Sequence, residues 1–218
     1  MQRRDFSARL GAAAAALALA PFTTRALAQP AAPVEGQHFV RLAQPAPVTL
    51  AGDQKVEVIE FFWYECPHCN NFEPMAVAWA RRLPPDVVYR KVPVGFTARH
   101  QVAQKAFYAL EEMGLLDTMH QRVFAAIHVQ RQRLMTEQAY LDFAAANGID
   151  RERFGQTMRS FAVNTKATRA RQLADAYRID GTPALGVQGR FYTSGTLAGS
   201  LQNMLAVADH LIGVARRG

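Results

Sequence analysis

Apolar residues along this chain switch between two periods, and the switches mark its elements. From Lys55 to Tyr64 the run Val58-Ile59-Glu60-Phe61-Phe62-Trp63-Tyr64 is almost continuously apolar. That is the pattern of a strand buried on both faces. Immediately afterwards the spacing changes. Phe72, Met75, Ala76, Trp79, Ala80 and Leu83 fall on one stripe, which predicts a helix over 66–83, kinked at Pro74 and ended by Pro84-Pro85. Val87 to Val92 reads as a second buried strand. Upstream, residues 29–50 are rich in Pro, Ala and Gln and lead into a short edge strand near Phe39–Leu42.

Helical spacing then dominates a long stretch, from about residue 97 to Tyr177. Val102, Ala106, Phe107, Leu110 and Met113 form one stripe, closed by Gly114. Met119, Val123, Phe124 and Ile127 form another. Thr136 caps a third helix that Asn147-Gly148 stops, and Asp150 caps a fourth carrying Phe154 and Met158. Val163, Ala167, Ala170, Leu173, Ala174 and Tyr177 mark a fifth. Strand signals return at Ala184–Val187 and Arg190–Tyr192, with Gln188-Gly189 as the turn. Leu197 to Arg216 predicts one terminal helix.

The order strand, helix, strand, helices, hairpin, helix gives an α/β architecture. Its first two buried strands should pair in parallel across a right-handed crossover. The hairpin should add antiparallel strands to the same sheet. The helical block over 97–160 interrupts this plan as a separate lobe, dividing the α/β domain into a first part, 29–96, and a second, 161–218.

Residues 1–28 read differently. Arg3 and Arg4 precede a weakly apolar stretch from Leu10 to Ala20, and Ala26-Leu27-Ala28 is a small-x-small cleavage site. This is the pattern of a cleaved bacterial export signal. Arg3-Arg4-Asp5-Phe6 partly matches the twin-arginine type, leaving that route and the general one both open. Export places the mature chain in the periplasm. Without the signal the formal charge falls from +7 to +4, because four arginines and one aspartate leave with it. The remaining charges are interspersed in sign, the pattern of a solvated surface rather than of a nucleic-acid stripe.

Both cysteines of the chain fall in Cys66-Pro67-His68-Cys69, between the strongest strand and the following helix. A dithiol at a helix start is placed for redox chemistry. Unpaired N–H groups and the positive end of the helix dipole favour a thiolate at Cys66, expected to be exposed, while Cys69 is tucked against the first turn. Pro67 suits the first helical position, and His68 adds a donor near the sulfur. A structural disulfide across so short a loop adds little stability. A zinc site lacks a fourth ligand, and the other histidines are dispersed. His120 and His128 read as ordinary surface or lobe residues.

The stretch from Glu60 to Cys69, continued by Asn71-Phe72-Glu73-Pro74, resembles the active-site segment of the DsbA-type periplasmic thiol oxidases of the thioredoxin superfamily. Gly181-Thr182-Pro183 resembles their cis-proline loop. The resemblance implies a thioredoxin-like fold with an inserted helical lobe. It also implies a protein disulfide oxidoreductase, monomeric and without cofactor or metal, that donates the Cys66–Cys69 disulfide to unfolded exported proteins. Thr182 and Pro183 would bind substrate. A DsbB-like quinone-linked membrane protein would reoxidise the dithiol. Glu60 is either an acid beneath the dithiol that moves protons to or from Cys69, or a sheet-edge carboxylate paired with a surface lysine. Glu73 matches a second acid of the family. Lys91 falls one or two positions from the family's lysine. Alternatives are a disulfide isomerase or reductase of the same superfamily, or a glutathione-using isomerase of this fold. The short segment before Lys55 disfavours an isomerase with its own dimerisation domain.

Overall fold

The computed structural model describes residues 32–51 and 53–217. The expected export signal over 1–28 lies outside them. A five-stranded mixed sheet runs in the order β1-β5-β4-β2-β3. Its strands are β1 (Val40–Arg41), β2 (Val56–Phe62), β3 (Val87–Pro93), β4 (Ala184–Val187) and β5 (Phe191–Ser194). β2 pairs with β3 in parallel and with β4 antiparallel, and all seven of its residues are buried. The parallel pair is bridged by α1 (Pro67–Ala80), which runs unbroken through Pro74. Four helices follow in the expected places: α2 (Ala98–Glu112), α3 (Leu116–His128), α4 (Glu137–Ala146) and α5 (Arg151–Arg159). Thr136 and Asp150 accept the capping bonds of α4 and α5. α6 (Phe161–Ala176) packs along α2.

The sheet separates two apolar cores. On one face Ile59 and Phe61 of β2 join Phe107, Phe124, Tyr140 and Tyr177 from the helical region. On the other, Val56, Val58 and Val87 pack on Phe72, Ala76 and Trp79 of α1 and on Met204 and Leu211 near the C-terminus. The Trp79 indole N–H donates to Asp209 Oδ1 at 2.7 Å, tying α1 to the last helix.

The predicted single terminal helix is two elements, α7 (Gly195–Ala198) and α8 (Leu201–Arg216). Gly199 at φ 81° ends the first in a left-handed cap, and Ser200 restarts the chain by accepting from the Asn203 N–H. The β4–β5 turn holds Gln188 and Gly189 at φ 51° and 62°. A Cβ on Gly189 would lie 2.2 Å from the Ala46 carbonyl oxygen, so only glycine fits there.

Candidate active site

Cys66 is the N-cap residue of α1, with extended backbone (φ −78°, ψ 117°) and Pro67 next. At that place a side-chain oxygen normally accepts from the second and third helical N–H groups. Here the side chain is sulfur and makes no capping hydrogen bond, but the backbone N–H groups of His68 and Cys69 still act on Cys66 Sγ and favour its thiolate. The Cys66 thiol lies 3.3 Å from the Thr182 carbonyl oxygen, to which it donates. The Cys66 thiol is lowered to about 5. The largest cause is the hydrogen bond from the Cys69 thiol. Burial opposes it, while the Thr182 side chain and the two backbone N–H groups add to it.

Cys69 behaves oppositely. Its side chain is fully buried, and burial pushes its thiol well above the usual range. The hydrogen bond to Cys66 and the charge there push the same way. Both cysteines are free thiols. The expected contrast in exposure is smaller than the chemical one, since Cys66 itself is only 8% exposed. The Thr182 backbone approaches its sulfur, so Cys66 sits at the rim of the surface rather than out on it.

His68 and Pro67 are exposed. His68 acts on the sulfur through its backbone N–H, and it lines a cleft of about 540 Å³ with Thr182, Pro183, Tyr192 and Leu197. The Thr182–Pro183 peptide bond is cis.

Beneath α1 lies a buried charge cluster. Glu60, Tyr89 and Lys91 point to the same face of the sheet, because Glu60 pairs in register with Lys91 and Val58 with Tyr89. The Tyr89 hydroxyl donates to Glu60 Oε2. Lys91 Nζ donates to Glu73 and lies 3.4 Å from Glu60 Oε2. Glu60 is 1% exposed on an interior strand, so neither the sheet edge nor a surface lysine describes it. Glu73 stands one helical turn after Cys69, on the same side of α1. Burial raises the Glu73 carboxyl, but His120 and Lys91 outweigh it and hold it at about 2. Spacing alone did not bring Lys91 to these acids. The parallel register does, and the register is invisible in one sequence.

Two residues that sequence reasoning set aside also belong here. His120 is buried, with Nδ1 2.8 Å from the Tyr64 hydroxyl and Nε2 3.4 Å from Glu73 Oε2. His128, two turns on, places Nε2 2.8 Å from the Tyr64 carbonyl oxygen. Two residues of α3, two turns apart, therefore hold Tyr64, which stands two residues before the first cysteine. Their helical spacing was the available signal, but nothing in it named Tyr64 as the common target. On the other flank Glu65 pairs with Arg99, and Trp63 stacks on His100 with ring centroids 4.1 Å apart.

A second buried glutamate, Glu57, lies on the opposite face of β2. It accepts from Arg90 Nε at 2.8 Å and from the Thr49 N–H at 3.1 Å.

Residues 57–210 match the family described as the DSBA-like thioredoxin domain. The chain is 43% identical over 218 residues to the thiol:disulfide interchange protein DsbA of Bordetella parapertussis, covering all of both chains. It is 40% identical to the protein of that name from Pseudomonas aeruginosa, over 81% of this chain and 83% of the relative. Among solved structures, Pseudomonas aeruginosa DsbA superposes with a TM-score of 0.79 at 38% identity, covering 84% of this chain and 95% of that one. The oxidoreductase DsbA from Xylella fastidiosa gives 0.78 at 30% identity, with 85% and 99% covered.

Proposed function

This chain belongs to the DSBA-like thioredoxin family, and from that premise we propose that its Cys66–Cys69 pair passes a disulfide to exported proteins as they fold. It is a thiol:disulfide oxidoreductase with a thioredoxin-like fold. The observation that carries the direction of transfer is the unequal placement of the two sulfurs. Cys66 Sγ stands at the helix start beside the Thr182 carbonyl, while Cys69 is fully buried one turn further in.

In the oxidised protein a substrate thiolate attacks Cys66 Sγ. The Cys66–Cys69 bond breaks, and Cys69 leaves with the electron pair and takes up a proton, which burial favours. A second substrate thiolate then attacks the substrate sulfur of the mixed disulfide. Cys66 departs as a thiolate, and the substrate has gained a disulfide while the protein has gained two electrons. A leaving thiolate this well stabilised drives the exchange toward the substrate. Thr182 and Pro183, in the wall of the cleft, contact the substrate chain, and His68 lines the same cleft, with Pro67 exposed beside it. Glu60 and Glu73, joined by Lys91, form the charged floor under Cys69 that manages its proton.

Work on exported clients assigns the mature protein to the periplasm, delivered by the signal over 1–28. Reoxidation falls to a quinone-linked membrane partner of the DsbB kind. The deciding experiment is equilibration of the Cys66–Cys69 pair with glutathione. An oxidising potential, well above the ~−270 mV of thioredoxin, is expected; a value at or below it would overturn the donor role.

A further inference from the structure

His120 sits among aromatic rings, 5.3 Å from Phe62, 6.0 Å from Phe107 and 5.2 Å from Phe124 between centroids. A polar ring in such a place needs partners for both nitrogens. Nδ1 has one in the Tyr64 hydroxyl. Nε2 is buried and has no partner that satisfies hydrogen-bond geometry, yet it faces Glu73 Oε2 at 3.4 Å. The hydroxyl decides which nitrogen bears the proton. When Tyr64 O–H donates to Nδ1, the hydrogen of a neutral ring sits on Nε2 and points at the carboxylate. The opposite tautomer would set a lone pair against a buried anion. An imidazolium donates from the same nitrogen, so the contact is attractive in either charge state.

We propose that His120 is a positioning residue for the dithiol reaction: oriented by Tyr64, its Nε2–H keeps the Glu73 carboxylate ionised under Cys69. The proposal deepens the oxidoreductase reading and rests on it. Glu73 is reached from every side. Cys69 lies one turn before it on α1, Lys91 meets it from β3, Glu60 stands across Lys91 on β2, and Tyr64 and His120 close the side toward α3. Tyr89 completes the group through Glu60. With two donors on Glu73, Lys91 is shared between the acids. With His120 removed, Lys91 alone opposes the burial of that carboxyl.

The test follows the Glu73 carboxyl by carbon-detected NMR across pH in the reduced full chain. His120→Leu should raise the Glu73 midpoint from about 2 by ~1 unit or more, because one of two favourable partners is gone while burial persists. His120→Gln retains an N–H donor and should restore most of the shift. Tyr64→Phe frees the tautomer and should raise the midpoint by less than His120→Leu. An unchanged midpoint in His120→Leu overturns the proposal, as does equal behaviour of the Leu and Gln variants, which would reduce His120 to packing. Should the Leu variant fail to fold, Tyr64→Phe decides alone: a rise supports the proposal and a wild-type midpoint overturns it. The Glu73 midpoint does not depend on what the dithiol reacts with. The glutathione equilibrium of the unsubstituted protein tests that reading separately.

Discussion

Cys66 and Cys69 lie within one helical turn, yet they occupy different solvents. Cys66 stands at the N-cap of a helix, where the N–H groups that the first turn leaves unused help to lower its thiol. Cys69 is three residues further in and fully buried, its sulfur beyond the reach of water. The same side chain is thereby acidified at one position and suppressed at the other. The contrast comes from position along the helix together with the neighbours of Cys66: the Cys69 thiol and Thr182 lower its thiol, while burial raises that of Cys69. One acidified and one suppressed thiol are made from two copies of one amino acid.

The strongest way to break this contrast is to remove either sulfur. Cys66→Ser should abolish disulfide donation to a reduced peptide, whereas Cys69→Ser should accumulate mixed disulfides through Cys66, visible on non-reducing gels. Mixed disulfides forming through Cys69 in the Cys66→Ser protein would invert the roles.

A smaller effect should appear in stability. The folded Cys66 thiol at about 5 lies below its unfolded value of ~8.5. A depressed folded value contributes stability that is complete above the unfolded value and is lost as pH falls through the folded one. Only the reduced protein has this contribution. At pH 7 two units correspond to ~2.7 kcal/mol, or ~2 kcal/mol after allowing for solvent at the sulfur. Closing the four-residue disulfide loop offsets a similar ~2 kcal/mol. Urea melts of the two redox forms should therefore show the oxidised protein ahead at pH 5, near parity at pH 7, and the reduced protein ahead at pH 8. A gap that does not move with pH would contradict the thiolate at Cys66.

The elements and the dithiol were legible because each is written locally. A seven-residue apolar run, a helical stripe, a cap residue and a four-residue motif all fit in short windows. What stayed hidden depends on pairing across the fold. Glu60 could be singled out as a carboxylate in an apolar strand. Its partners Tyr89 and Lys91 follow only from the parallel register, and its burial only from β4 covering the other side of β2. His120 was hidden for a different reason. It lies in the helical region, far along the chain from the motif, and its target is a backbone-adjacent tyrosine without a sequence signature. The break between α7 and α8 was readable from Gly199-Ser200, but the apolar stripe on both sides masked it.

The last way to sharpen the contrast uses the two buried glutamates of β2 as a matched pair. Tyr89 feels the charges of Glu60, Glu73 and Cys69 together, which places Glu60 in the same electrostatic neighbourhood as the inner sulfur. In a Cys66→Ala background, Glu60→Gln should lower the Cys69 thiol midpoint by ~1 unit, because a nearby anion is removed. Ultraviolet absorbance of the thiolate across pH measures it. Glu57→Gln, on the other face, should leave that midpoint in place. Its cost should be ~2 kcal/mol of stability through the weakened Arg90 contact, read from urea melts. Equal titration shifts in the two variants would dissolve the distinction between the faces.

A protein that handles unfolded chains is continually offered loose strands with unsatisfied backbone groups. The borders of its own sheet determine whether such strands can anneal to it. One border, β1, is only two residues long. The other, β3, carries Arg90 and Lys91, half-buried and paired with buried glutamates, and ends at Pro93, which has no N–H to offer. Charges pointing inward and a terminal proline make β3 a poor template for a visiting strand. Neither border of the sheet therefore offers a long run of free backbone groups to a strand from outside.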